Sequence, residues 1–427
     1  MAHTALASLL AAVLLLTSCA PGAGGSSNPG TPPAGASGAA MEESSSMNGS
    51  SPPLEEPVPA ALPDPGPQLT QEDIDQALAR VMEKYSAVAV AVATVESGQL
   101  SQFGAWGWAV KGQREMTADT KVRVASISKV VLGICAMAMV DDGLLDLDAP
   151  MSGYWGAGVR NPYSKTQPSA CSLMTHTSSL RGLEMGNGLS KLRGRLSASS
   201  AWRSMEPGDG GYWAYSNFGA SILGVTLELA AGRPLDQYLQ ERFLQPLEAR
   251  ASLHAGFLEA GEVACLYNSS GGVERSPEAQ TRQSVPSQIG GGATYFPGGF
   301  TVSAVDMAKL MAILAGDGSF EGARYLSPET VAAMEQPRFT VTPESGAPFE
   351  QCLILRRQED LLGQDVLCYH TGSAYGVFSL FTYNPDTGDG VVVITTGAPR
   401  RTDEYGLYAL CSALSEELYA RMEGDLV

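Results

Sequence analysis

The stretch VASISKVVLG, residues 124–133, contains the pattern that decides the fold. Lys129 is the only charged residue between Arg123 and Asp141, and the apolar run VVLGICAMAMV follows it directly. On a helix, residues three positions apart stand on the same face, so Ser126 and Lys129 point the same way. A lysine that snorkels from a surface helix over apolar neighbours is the plain interpretation. A hydroxyl held beside an amine is the alternative, and it predicts nucleophilic chemistry.

The overall composition is that of a globular protein. The chain has 427 residues, of which 44% are hydrophobic and 17% charged, enough to bury a large core in one or two domains. With 27 Lys and Arg against 45 Asp and Glu, the formal net charge is −18. This charge repels nucleic acid and offers no basic patch for anionic lipid, so we expect no nucleic-acid partner.

The first residues predict export. The apolar segment 5–16 is too short to span a bilayer, and small residues with a cysteine follow it, as in a signal peptide. Residues 16–19, LTSC, resemble a bacterial lipobox, in which the cysteine is lipidated and becomes the first mature residue. No Lys or Arg precedes the apolar segment, so a plain signal peptide with an incidental Cys19 is the alternative. We expect a lipoprotein on the outer face of the cell membrane, held there by its lipid anchor alone.

Composition also sets the domain boundaries. Residues 20–68 are rich in Gly, Ser, Pro and Ala and contain no aromatic residue, so they cannot build a core and are predicted to form a flexible tether. Folded sequence begins at LTQEDIDQALARVMEKY, where Thr70 can cap a helix and Asp73 stands three residues later. We therefore expect a leader at 1–19, a disordered tether at 20–68 and one folded domain at 69–427.

The hydrophobic patterns of the folded domain predict an α/β (α+β) architecture. Alternating apolar segments near residues 86–110 and again after residue 350 predict strands, including QCLILRR, QDVLCYH, GVFSLFTYN and GVVVITTG. Helical patterns dominate the middle of the chain, and a last helix closes it. Strands at both ends of the domain predict one antiparallel sheet completed by the two chain ends, flanked by helices, with a mostly helical lobe beside it.

The cysteines and histidines give no metal site. Cys352 and Cys368 lie on either side of the charged turn RRQEDLLGQD, so a hairpin could bring them opposite each other as a disulfide. No Cys/His spacing matches a metal site, and the histidines at positions 3, 176, 254 and 370 are scattered. We expect no metal and no cofactor.

Two further motifs complete the pattern that begins at Ser126. A serine hydroxyl needs a base, and a lysine can act with a lowered pKa or by depressing the pKa of a tyrosine. The segment GGYWAYSNFG supplies Tyr215 and, two residues on, Asn217 at the start of a helical pattern. The third motif, in CYHTGSAYG, ends a strand with residues 370–372, HTG, whose glycine lets a substrate backbone approach the strand edge.

In this order, the three motifs and the text between them resemble the serine penicillin-recognising family, which includes class C β-lactamases, DD-carboxypeptidases and related esterases. The resemblance covers roughly residues 70–420. It implies that Ser126 is acylated, that Lys129 and Tyr215 share the base work, and that Tyr215 then protonates the leaving group. It further implies that Asn217 binds the substrate amide and orients Lys129.

The resemblance also assigns the third motif to substrate binding, through the residues at the strand edge: His370, Thr371, Gly372 and Ser373. The backbone N–H groups of Ser126 and Ser373 would form the oxyanion hole.

Two departures from the family pattern bear on function. β-Lactamases of this type usually carry lysine where this chain has His370, and an ordinary histidine is mostly neutral at pH 7. In the segment LMTHTSSL, Ser178-Ser179 stands where Ser-Gly is usual, and His176 is expected to be structural. We expect a D-alanyl-D-alanine carboxypeptidase-like hydrolase acting on a small-molecule or peptidoglycan-peptide substrate. A β-lactamase, a small-ester esterase and a non-catalytic tethered binding or sensor protein are the alternatives.

Overall fold

The computed structural model of the protein describes residues 68–424. The predicted leader, Cys19 and the tether up to residue 67 lie outside the described residues. The first helix begins as predicted: the Thr70 hydroxyl accepts from the Asp73 N–H, and the Asp73 side chain accepts from the Thr70 N–H. Among the described residues, no helix is both long enough and apolar enough to cross a membrane.

A large antiparallel sheet forms the centre of the domain. The strands in chain order are β1 (Ala89–Glu96), β2 (Gln99–Val110), β3 (Arg114–Glu115), β4 (Val122–Arg123), β5 (Leu266–Tyr267), β6 (Val273–Arg275), β7 (Thr301–Val302), β8 (Ser319–Phe320), β9 (Ala323–Arg324), β10 (Phe339–Val341), β11 (Phe349–Gln351), β12 (Arg356–Leu361), β13 (Gln364–Ala374), β14 (Val377–Tyr383) and β15 (Gly390–Thr396). Nine of them form the sheet in the order β10-β11-β12-β13-β14-β15-β1-β2-β3, and β4–β9 form three two-stranded pairs. The first strand of the domain therefore lies beside the last, with Val90 opposite Thr395.

Helices cover the sheet and build the lobe beside it. They are α1 (Gln71–Lys84), α2 (Ser128–Asp141), α3 (Ser152–Trp155), α4 (Ala170–Met174), α5 (Leu189–Leu196), α6 (Asn217–Ala231), α7 (Leu235–Leu239), α8 (Pro277–Thr281), α9 (Ala304–Ala315), α10 (Pro328–Glu335) and α11 (Ala409–Met422). The sheet separates two apolar cores, because successive side chains of a strand point to opposite faces. Val90 and Val92 of β1 pack in the core with α1 and α11, whereas Ala91 and Ala93 pack in the core with α2, α6 and α9. The predicted fold class is confirmed.

The strand predicted at QCLILRR is interrupted. The ladder stops at Gln351 and resumes at Arg356, and the residues between them turn away from the sheet into the helical lobe. Ile354 takes a positive φ of 68° and its amide donates to the Met174 carbonyl (3.1 Å). Its side chain is buried against α2 at Gly133, where an added Cβ would lie 3.3 Å from Ile354. The apolar run thus joins the sheet to the lobe instead of extending a strand.

This interruption overturns the predicted Cys352–Cys368 disulfide. Cys352 lies in the connection before β12, and the residue opposite Cys368 is Arg357. Both cysteines are buried free thiols, and the other cysteines of residues 68–424 are also free, all of them buried except the half-buried Cys171. Burial raises the pKa of the Cys352 thiol to about 12, so it carries almost no thiolate at neutral pH.

The free thiols give a direct test. A disulfide here would restrict the unfolded chain and stabilise the fold by about 2–4 kcal/mol. Because the structure has none, we expect the free energy of unfolding in urea to be the same with and without dithiothreitol. Alkylation of the unreduced, denatured protein should label both cysteines. Loss of a few kcal/mol on reduction would contradict the structure.

Candidate active site

Ser126 lies in a tight turn that leads directly into α2. The turn, Ala125–Ile127, is a single 3₁₀ turn, and Ser128 begins the helix. Ala125 takes a positive φ of 51°, a conformation that costs an ordinary residue about 1–3 kcal/mol. The Ser128 hydroxyl donates to the Ala125 carbonyl (2.6 Å) and accepts from the Phe300 N–H (2.9 Å), which holds this conformation. The result is a serine that is partly exposed while both its neighbours are buried.

Lys129 is fully buried beneath this serine. Its Nζ donates to Ser126 Oγ (3.1 Å) and to the Pro297 carbonyl (2.7 Å). Nζ also lies 4.9 Å from the centre of the Tyr215 ring. Burial lowers the pKa of Lys129, the Tyr215 side chain opposes this effect, and the Arg356 charge adds to it. A lowered pKa raises the fraction of the amine that is neutral at a given pH, and the neutral amine can accept the Ser126 proton.

Tyr215 closes the other side of the pair. It precedes Ser216, whose hydroxyl caps α6 by accepting from the Gly219 N–H (2.8 Å). Its ring packs 4.6 Å from that of His176, centre to centre, and its side chain is 38% exposed. The Tyr215 ring therefore lies against Lys129 and is also open to solvent, as a group that hands a proton to a leaving group requires.

Asn217 is exposed at the start of α6. Within residues 68–424, the hydrogen bonds of Lys129 Nζ go to Ser126 and to the Pro297 carbonyl, whose position was not readable from the sequence. The two roles expected of Asn217, orienting Lys129 and binding the substrate amide, stay predictions.

The end of β13 lies directly against Ser126. A Cβ added at Gly372 would fall 3.3 Å from the Ser126 backbone nitrogen and 2.3 Å from the Val124 carbonyl, so only glycine fits. Ser379 of β14, opposite Gly372, donates to the same carbonyl (2.9 Å). The pairing of β12 with β13 ends at Tyr369.

From His370 to Ala374, β13 therefore has β14 on one side and, among the residues that the structure describes, no strand of the sheet on the other. This free edge places Thr371 and Ser373 where a substrate backbone can pair with the strand. The Ser126 and Ser373 amides are thereby brought to the same region, as the predicted oxyanion hole needs.

Two buried histidines flank the tyrosine. Burial, with the charges of Arg356 and Lys129, holds the pKa of His370 well below its ordinary value. Burial likewise lowers the pKa of His176 to about 3. Both rings are therefore neutral at physiological pH. His176 has the structural role expected of it, because its carbonyl accepts from the Ala214 N–H (3.0 Å) and its Nδ1 from the Ser216 N–H (3.4 Å).

The turn with Ser178-Ser179 keeps a glycine-like conformation. Ser179 has a positive φ of 60°, which glycine adopts freely and serine does not. Its hydroxyl accepts from the Asn161 side chain (2.8 Å). The departure from Ser-Gly thus leaves the local backbone in place and adds a buried hydrogen bond.

Sequence reasoning missed one cation beside this cluster. The Arg356 guanidinium lies 4.3 Å from the centre of the Phe349 ring, and its charge lowers the pKa of Lys129, His176 and His370. No carboxylate of residues 68–424 forms an ion pair with it. In the sequence it is one of two adjacent arginines in a charged segment, and nothing there marks it as facing the site.

Comparison with known proteins agrees with this geometry. A family model described as Beta-lactamase matches residues 74–413. The chain belongs to the beta-lactamase family. Members of this superfamily are serine hydrolases, and the structure brings Ser126, Lys129 and Tyr215 together as that chemistry requires.

Several curated proteins are similar in sequence. Protein Rv1367c of Mycobacterium tuberculosis is 27% identical over 270 residues, which is 55% of this chain and 64% of that protein. The D-alanyl-D-alanine-carboxypeptidase/endopeptidase AmpH of Escherichia coli is 26% identical over 198 residues, 44% of this chain and 51% of AmpH. Esterase EstB of Burkholderia gladioli is 30% identical over 167 residues, 34% of this chain and 41% of EstB. The matched regions span less than two thirds of each relative.

Solved structures share the fold. The octameric penicillin-binding protein homologue of Pyrococcus abyssi has a TM-score of 0.64 at 19% identity, covering 83% of this chain and 78% of that one. The beta-lactamase/D-alanine carboxypeptidase of Pseudomonas syringae has a TM-score of 0.63 at 16% identity, covering 83% and 99%. At these identities the likeness concerns the fold alone.

The three central side chains can be tested with a fluorophosphonate probe that labels active serines. We expect Lys129→Met and Tyr215→Phe each to slow labelling by about two to four orders of magnitude, the usual range for losing a positioned proton acceptor. The double variant should lose less than the sum of the two, because both residues handle the same proton. In the wild-type protein the rate should rise with pH and level off below the ordinary lysine pKa, and Lys129→Met should remove that rise.

Ser126→Ala is the blank for this experiment, because it removes the labelled atom and little volume. Circular dichroism should show that all variants are folded. Strictly additive losses, or a pH dependence that survives Lys129→Met, would contradict the shared role.

Proposed function

We propose that this protein is an exported serine hydrolase that releases the terminal residue from D-alanyl-D-alanine peptides through an acyl-enzyme on Ser126. The observation that carries the proposal is the Arg356 cation, which forms no ion pair within residues 68–424 and lies beside the neutral, buried His370. A carboxypeptidase must bind the free carboxylate of the leaving residue. His370 carries no charge for this purpose, whereas an arginine is always charged and matches a carboxylate with two parallel hydrogen bonds. The similarity to AmpH supports the same choice.

The contacts support the following order of proton transfers. Neutral Lys129 accepts the Ser126 proton as Oγ attacks the carbonyl carbon of the scissile bond, and the Ser126 and Ser373 amides stabilise the oxyanion. Tyr215 donates a proton to the leaving amine as the C–N bond breaks, and Lys129 returns the proton to Tyr215. Water then attacks the ester, giving its proton to the Lys129–Tyr215 pair, and Ser126 regains a proton as the acid product leaves.

Three other functions stay open as outcomes of the tests. The exposed Tyr215 and Asn217 leave the site open to small esters, and the similarity to EstB favours this second candidate. A β-lactamase would share every step but release the acyl group quickly. A non-catalytic sensor is disfavoured, because the serine, the amine and the phenol are all present and in contact.

The location is proposed from the sequence alone. We propose that Cys19 is lipidated and that residues 20–68 tether the domain outside the cell membrane. Cys19→Ala should move the protein out of the detergent-soluble membrane fraction, while a Ser18→Ala control should not. Membrane retention of the Cys19→Ala protein would contradict the lipid anchor.

The central test measures D-alanine release from an N-acylated D-Ala-D-Ala peptide together with penicillin labelling. We expect D-alanine release, a long-lived penicillin adduct on Ser126 and little turnover of a chromogenic cephalosporin, because the tethered lactam leaving group obstructs water. Arg356→Gln should raise KM for the peptide about 10- to 100-fold, the loss expected for a charge-assisted hydrogen bond, with a small change in kcat.

Arg357→Gln is the matched control, since it removes the same charge from the neighbouring position of β12. For a peptide that ends in a carboxamide, Arg356→Gln should leave KM unchanged. Rapid cephalosporin turnover would identify a β-lactamase instead, and ester hydrolysis without D-alanine release an esterase. An Arg356→Gln variant no worse than Arg357→Gln would show that Arg356 does not bind the carboxylate.

A further inference from the structure

Two arginines and a tyrosine from distant parts of the chain meet beside the active site. Tyr375 lies in the turn between β13 and β14. The Arg123 guanidinium lies 5.0 Å from the centre of its ring, and the Arg275 guanidinium lies 4.7 Å from it. Arg123 belongs to β4 and Arg275 to β6, so the fold brings together residues that the sequence separates widely.

This cluster lies next to the catalytic serine. Arg123 is three residues before Ser126, and Tyr375 is two residues after Ser373, no more than about 7 Å along an extended strand. Gly372 fixes the strand against the Ser126 amide. A substrate that pairs with the β13 edge therefore extends along it from the His370 end to the Tyr375 end.

The proton donor shows which half of the substrate lies at which end. Tyr215, which protonates the leaving group in the proposed function, has its ring centre 6.5 Å from that of His370. The leaving group therefore lies at the His370 end. The acyl half lies at the other end, toward Ser373 and Tyr375.

The charge of the cluster is uncompensated. Within residues 68–424, neither Arg123 nor Arg275 has a carboxylate at ion-pair distance. Arg123 donates through Nε to the Gly298 carbonyl (2.5 Å), and burial and the Arg275 charge both lower its pKa. Glu274, the acidic residue next to Arg275 in the sequence, instead accepts a hydrogen bond from the Asn268 side chain (3.3 Å). Two guanidinium groups held against one ring repel each other, and an anion bound to both would offset that repulsion.

We propose that Arg123 and Arg275, which both lie against the Tyr375 ring, bind a carboxylate carried by the acyl half of the substrate. The substrate class is an acylated D-alanyl compound whose acyl group ends in an acid, such as a peptide with an acidic side chain before the D-alanyl residue. This assignment rests on the proposed function for the direction of the substrate. Planar guanidinium groups favour carboxylates because they donate two parallel hydrogen bonds. The Tyr375 side chain, 40% exposed, leaves the cluster open to solvent.

The test measures binding and needs no turnover. In a Ser126→Ala background, isothermal titration compares N-succinyl-D-alaninamide with N-butyryl-D-alaninamide, which carries a methyl group in place of the distal carboxylate of the acyl group. We expect the succinyl compound to bind at least about 10-fold more tightly. Arg275→Gln should remove most of this preference, and it is the informative variant because Arg275 is exposed and its loss leaves the core intact.

Arg282→Gln is the matched control, an exposed arginine seven residues away that has no contact with Tyr375. It should keep the preference of the parent protein. Equal affinities for the two compounds, no succinyl binding up to about 10 mM, or a preference that survives Arg275→Gln would each overturn the proposal. If D-alanine release fails while the succinyl preference holds, only the leaving-group specificity of the proposed function is wrong.

Discussion

The contact between Lys129 Nζ and Ser126 Oγ is the constraint that the rest of the site depends on. Burying an amine costs free energy. The fold must therefore give it partners that offset this cost without holding the amine permanently in its protonated form. The Pro297 carbonyl and the Tyr215 ring provide these partners from two other parts of the chain. The neighbouring histidines are neutral, and their neutrality follows from the same burial.

The position of this contact depends on how the sheet meets the helical lobe. Gly372 allows β13 to approach the Ser126 turn, and Ser379 of β14 ties the Val124 carbonyl to the sheet. On the other side, Ile354 leaves the sheet and packs against α2 at Gly133. The helix that carries Lys129 is thus held at two points, near Ser126 by β13 and β14 and at Gly133 by the connection before β12. A shift of either contact would move the Lys129 amine away from the edge of β13.

The sequence predicted those parts of the structure that depend on local pattern. The sheet was predicted from the alternating small and branched residues of β1 and from the apolar strand patterns after residue 350, and the three-residue spacing of Ser126 and Lys129 placed both on one face. The prediction failed where an apolar run could form either a strand or a packed connection. The segment after Gln351 has the composition of a strand, yet its packing into the helical lobe decides its conformation. Arg356 and the Arg123–Arg275 pair were missed because their importance lies in contacts between segments far apart in the chain.

The pairing of β1 with β15 also sets the order in which the protein can fold. Val90 emerges from the ribosome long before its partner Thr395, so the hairpin of β1 and β2 must wait with an unpaired edge while the whole helical lobe is made. Contacts so distant in sequence slow folding, and exposed strand edges invite association with other chains. The last strands to be synthesised therefore complete both the sheet and the edge beside Ser126, and a chain truncated before β13 has neither.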